Sequence, residues 1–127
     1  MQTYEQLRNH PADFIVKYRL YSQAEGGRKA TFQHLRCDFV YEGEDPLKDG
    51  LYMIHPEFLD ADGQPLEENT PVPLEGRASM WILMPEMRAF HQLRIKPGVR
   101  GHFMEGPRKI ANVQVEQVVG LHENAAA

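Results

Sequence analysis

Between residues 14 and 21 the side chains of Phe14, Val16, Tyr18 and Leu20 alternate with those of Ile15, Lys17, Arg19 and Tyr21. This is the two-residue period of a strand that buries one face, and it excludes a helix there. Further strand-like runs follow at residues 35–41, 51–59, 78–84, 99–104 and 109–119, separated by turn residues. Asp60-Ala61-Asp62-Gly63 predicts a turn after the third run. Residues 63–76 carry Pro65, Pro71 and Pro73, each without an amide donor, which predicts a long loop or an edge. Residues 78–84 are apolar on both faces and predict a strand covered on both sides. Residues 87–95 alternate less cleanly and end at the turn Pro97-Gly98. Helix is expected only at residues 3–9, stopped by Pro11, with a further short turn at 45–50. Many short strands with so little helix predict a barrel or a sandwich.

The 127 residues suit one domain, and the chain is long enough to bury a core without staples. Its expected division is an N-terminal helical arm at 1–12, a β unit at 13–120 and a frayed tail at 121–127. Fourteen basic against eighteen acidic residues leave a net charge of −4, so the chain has no general attraction to polyphosphate, and DNA binding is not expected. Cys37 is the single cysteine and can form no internal disulfide. The first thirteen residues have no apolar core of the signal-peptide kind, and no apolar run approaches the roughly 20 residues of a membrane helix. A cytoplasmic chain with no membrane partner is therefore expected.

Two loops are built alike: Glu25-Gly26-Gly27-Arg28 after the first strand and Glu105-Gly106-Pro107-Arg108 before the last. After the first come Phe32, Arg36 and Phe39; Met84-Pro85 precedes a strand-like run, Ile95-Lys96-Pro97 follows, and Ile110 and Val115 come after the second loop. In order and spacing these resemble the C-terminal β-barrel domain of elongation factor Tu. That family reads Gly-Tyr-Arg-Pro-Gln-Phe around the positions of Arg36 and Phe39, Met-Pro and Ile-His-Pro in the middle, and a terminal Glu-Gly-Gly-Arg-Thr-Val. The likeness runs from about residue 14 to 119. It implies an all-β fold, a single closed six-stranded Greek-key-like β-barrel with a short N-terminal helix.

The resemblance implies binding to a partner and not catalysis. The family barrel packs against a GTPase domain on one face and contacts the tRNA T-stem on another. No Gly-x-x-x-x-Gly-Lys-Ser/Thr phosphate loop occurs, so GTP hydrolysis is not expected. Protein–protein interaction ranks first, with Glu25, Gly26, Gly27, Arg28, Arg36, Glu105 and Arg108 as the candidate interface and no cofactor. RNA or tRNA contact is the alternative, carried by Arg88, Arg94, Lys96, Arg100, Arg108 and Lys109 with Phe90 and Phe103; Asp38 and Ala111-Asn112-Val113 depart from the family there. An unrecognised enzyme ranks third, with Cys37 and His34 as the conceivable nucleophile and base. On a strand those two would face opposite ways, which favours Cys37 as a packed apolar residue. His10, His34, His55, His91, His102 and His122 show no metal-ligand spacing, so no metal is expected. Trp81, beside Met80 and Ile82, reads as core.

Overall fold

The alternating run forms β1 (Phe14–Leu20), and in the computed structural model, which describes residues 1–124, this strand lies near the centre of one antiparallel sheet. The other strands are β2 (Asp38–Tyr41), β3 (Ile54–Phe58), β4 (Glu75–Ile82), β5 (Arg100–Glu105) and β6 (Arg108–Val118), in the spatial order β2-β5-β6-β1-β4-β3. Inward residues of β1 meet those of its neighbours in register: Val16 lies between Ala78 and Val115, and Tyr18 between Gly76 and Val113. The sheet curls around a core in which Phe14 meets Phe39 and Phe58 meets both Tyr18 and Phe103 edge to face. The hairpin expected at the second arginine loop is present, with Glu105 paired to Arg108 across Gly106-Pro107.

The sheet is a six-stranded open half-barrel, not the closed barrel expected from the sequence. Among the described residues the edge strands β2 and β3 share no ladder; Phe39 of β2 instead exchanges both backbone hydrogen bonds at 2.9 Å with Tyr52, two residues before β3. Two features of the sequence stop the ladder. β2 is four residues long and runs into a turn at Gly43. In β3 the backbone of Phe58 points away from β4, toward Gln33 and Leu66; Pro56, two residues earlier, therefore faces the same open edge and has no N–H to donate. The edge is covered otherwise: the buried Gln33 side chain accepts from the Phe58 N–H at 2.8 Å and donates to the carbonyls of Phe58 and Leu66 at 2.8 and 2.9 Å.

Among the described residues α-helix occurs at three places. α1 (Tyr4–Arg8) begins at a capping box between Thr3 and Gln6 and ends with Asn9 in the left-handed region, as the expected N-terminal helix. α2 (Pro46–Asp49) is capped by the Asp45 side chain. α3 (Arg88–Arg94) replaces the weakly alternating run at 87–95, where no helix was expected. Its inward stripe is Arg88, His91 and Ile95, which has helical spacing but is mostly polar, so hydrophobic periodicity does not reveal it.

Arg88 docks α3 by reaching the fully buried Asp13 just before β1. The Asp13 carboxylate accepts from Arg88 Nη1 at 2.7 Å and Nη2 at 3.4 Å, from the Ile82 N–H at 2.8 Å and from Asn124 Nδ2 at 2.8 Å. The Asp13 carbonyl also receives the N–H groups of Val119 and Leu121. Residues 121–124 are thus held in place and not frayed, with Leu121 fully buried; the rest of the expected tail, 125–127, lies outside the described residues. Substituting Asp13→Asn leaves the Arg88 charge buried without its counterion and is expected to cost about 3–5 kcal/mol in urea unfolding. A loss below about 1 kcal/mol would show that the pair is not a support of the fold.

Candidate functional site

The two arginine loops come together in space. Glu105 lies between Arg28 and Arg108 and pairs with both, while Arg28 Nε donates to the Ala30 carbonyl at 3.1 Å. Burial raises the Glu105 carboxyl, but the Arg108 hydrogen bond and the Arg28 charge outweigh it and hold the group below its usual range. Glu25 belongs to a separate arrangement. It closes a capping box with Ser22 and pairs with Arg19 at 3.1 Å, and the Ser22 N–H first and then Arg19 bring its carboxyl down to about 2. Gly26 sits at φ 95°, where a side chain is strained. Gly27 has a different reason to be glycine: a Cβ there would lie 2.0 Å from the Tyr21 carbonyl oxygen. Arg36 is exposed and makes no ion pair among the described residues.

Three of the residues expected to form an RNA surface in the C-terminal half are committed elsewhere. Arg88 is buried on Asp13, Arg94 pairs with Glu44 at 2.8 Å and lies 3.8 Å from the centre of the Tyr41 ring, and Phe103 is fully buried. Lys96, Arg100, Arg108 and Lys109 are exposed. A different basic row emerges from the strand register. Arg100, Gln114, Lys17 and Arg77 stand side by side across β5, β6, β1 and β4, with Lys17 and Arg77 both on Glu116 at 3.4 and 2.8 Å.

On the outer face of β3 and β4, α1 and His34 cover polar groups. Glu57 is buried there, and one of its oxygens accepts from the Tyr4 N–H at 3.0 Å and from His34 Nε2 at 2.7 Å. A carboxylate at the first N–H groups of a helix is favourable because those groups have no partner within the helix. The other ring nitrogen of His34 faces Glu68 at 3.3 Å, so both nitrogens are occupied. Trp81 is buried on this face beneath Tyr4, at 5.4 Å between rings, and so lies opposite Met80 and Ile82 and outside the inner core. Cys37 is buried in the inner core, and desolvation pushes its thiol up. The thiol is raised by burial, and both ring nitrogens of His34 face carboxylates. Asp60 uses its side chain on the N–H groups of Asp62 and Gln64, as a turn residue.

The open side of the half-barrel carries a feature that the sequence did not reveal. The Tyr52 and Phe90 rings lie 5.6 Å apart, tilted by 36°, and Met53, Phe90 and Leu93 are exposed at 44, 37 and 79%. Leu51 is exposed beside Met53, and the Met53 carbonyl accepts from the Leu83 N–H, bringing it next to Met84. Beneath this rim, His91 is buried and its Nδ1 is 2.7 Å from the Tyr41 hydroxyl. Desolvation, helped by Arg94, lowers His91 to about 4. The arginine loops lie elsewhere: Asp38 at one end of β2 pairs with Met104 beside Glu105, whereas Tyr41 at the other end pairs with Gly101.

No helix is long and apolar enough to cross a membrane, and among the described residues no three His, Cys, Asp or Glu side chains gather as metal ligands. No protein-family model matches the chain, and no curated protein matches it. Because Cys37 is buried and its thiol is raised, a thiol reagent such as DTNB is expected to label the native protein far more slowly than the urea-unfolded protein at the same pH. Equal rates would mark Cys37 as accessible and reopen it as a reactive group.

Proposed function

We propose that the chain is a non-catalytic binding module that holds another protein against the open side of its curled sheet. The observation that carries this reading is the set of large apolar side chains left in solvent on α3 and on the lead into β3: Leu51, Met53, Phe90 and Leu93, with the Tyr52 and Phe90 rings 5.6 Å apart between the two segments. A soluble domain rarely leaves such side chains grouped unless something covers them, and methionine and phenylalanine suit a surface that adapts to its partner. The partner chemistry that fits is an apolar segment, such as one face of an amphipathic helix. The ordered likeness to the elongation factor Tu C-terminal domain supports a barrel-derived module with a docking role. On this reading the Arg28–Glu105–Arg108 cluster fastens two loops, and Arg36 is an exposed cation with no ion pair among the described residues.

RNA contact is the second reading, favoured by the exposed row Arg100, Gln114, Lys17 and Arg77. Its two middle-to-edge cations are shared with Glu116, which weakens its pull on phosphate. An RNA affinity that falls steeply with salt would promote this reading over protein docking.

Charge placed on the rim separates the alternatives. Leu93→Glu and Met53→Glu are exposed changes, expected to alter fold stability by no more than about 0.5 kcal/mol. They should weaken co-purification of the native partner by about 2 kcal/mol or more, the loss expected at the centre of an interface. Arg28→Glu, on the other end of β2, serves as the comparison. If it abolishes the complex while both rim variants bind normally, the interface belongs to the arginine loops and the rim reading fails.

A further inference from the structure

The geometry points to a binding site for a soft monovalent metal ion, Cu(I) in chemical class, in the cavity beneath the apolar rim, with Met53, Met84, Met87 and His91 as its ligands. These four line one cavity of about 310 Å3 together with Leu51, Tyr52, Ile82 and Asp49. The chain has six methionines. Met80 and Met104 are buried in the sheet, Met1 is at the exposed terminus, and the remaining three all border this one space. If the cavity needed only apolar filling, leucine and isoleucine, with fewer rotatable bonds, would serve it better.

Thioether sulfur is a weak ligand for Zn(II), Ca(II) or Mg(II) and a good one for Cu(I), and imidazole completes such a set. The surroundings suit this chemistry. His91 comes from α3, which Arg88 fixes to the buried Asp13. Its Nδ1 is 2.7 Å from the Tyr41 hydroxyl, and among the described residues no group hydrogen-bonds Nε2, which is the usual arrangement in which one imidazole nitrogen is oriented and the other is a ligand. Met84 caps the 3-10 turn Pro85–Met87 that leads into α3 and Met87 ends it, so two sulfurs and the imidazole come from one continuous stretch of chain. Met53 comes from the lead into β3, fixed by its carbonyl to Leu83. Leu51 and Ile82 give the cavity apolar walls, and it opens to solvent at Met53 and Leu51. The site does not depend on the docking reading, since it needs no partner protein.

The test uses the intact chain with its methionine ε-methyl carbons labelled, titrated in chloride-free buffer with silver nitrate, a redox-stable stand-in for Cu(I). The methyl signals of Met53, Met84 and Met87 are expected to shift and to saturate at one ion per chain, while those of Met1, Met80 and Met104 stay in place. The triple change Met53→Leu, Met84→Leu and Met87→Leu, nearly conserving volume, should abolish binding without unfolding the chain. Tyr41→Phe, which removes only the group that orients His91, should weaken binding about 10-fold. Cys37→Ser should leave the methionine shifts unchanged. Absence of shifts at these three methionines, or shifts that vanish in Cys37→Ser, would overturn the assignment.

Discussion

The buried ion pair of Asp13 and Arg88 holds the rest of the structure in register. An ion pair taken out of water recovers its desolvation cost only when most lone pairs and N–H groups are satisfied; the Asp13 carboxylate has four donors, while the buried Arg88 Nε has no partner among the described residues. Those donors belong to the end of β4, α3 and the turn at residue 124. One side chain therefore fixes where the central strand begins, where its neighbour ends and how α3 lies across the opening. The candidate rim and the cavity beneath it both depend on that placement, because Phe90, His91 and Leu93 are carried by α3.

The opening itself follows from β3. Pro56 points its donor-less nitrogen toward the edge where a closing strand would pair, and Gln33 occupies the next position of that edge with its side chain. What closure would have buried is instead covered partly by α3 and the Phe39–Tyr52 contact, and partly left apolar and exposed. An exposed rim is thus the direct consequence of a sheet that stops one ladder short.

Much of the sheet was legible in the sequence because period-two patterning is a local signal. β1 and the β5–β6 hairpin were read nearly to the residue, helped by Glu105-Gly106-Pro107-Arg108, and the capping residues around α1 were equally local. Pro56 was a visible sign of an edge strand within the run 51–59, and closure was expected in spite of it. α3 was hidden because its buried stripe includes Arg88 and His91, so a reading based on apolar spacing finds nothing there. The partnership of Asp13 and Arg88 spans 75 residues, and no local pattern ties the two together. The convergence of Arg28 and Arg108 on Glu105 came from the fold as well: the likeness of the two loops was visible, but their meeting was not. The methionines were noticed only as apolar residues, because their shared cavity exists only once β3 and α3 are placed.

The central claim is that Asp13 and Arg88 position α3, and through it the open face. Hydrogen exchange with mass spectrometry on Arg88→Met tests it most directly, since the variant keeps the side-chain volume and removes the charge. Backbone amides of residues 85–95 and 119–124 should lose protection while those of β5 and β6 keep theirs, the signature of a local element released from an intact sheet. Unchanged protection at 85–95, or an even loss over the whole chain, would contradict the account.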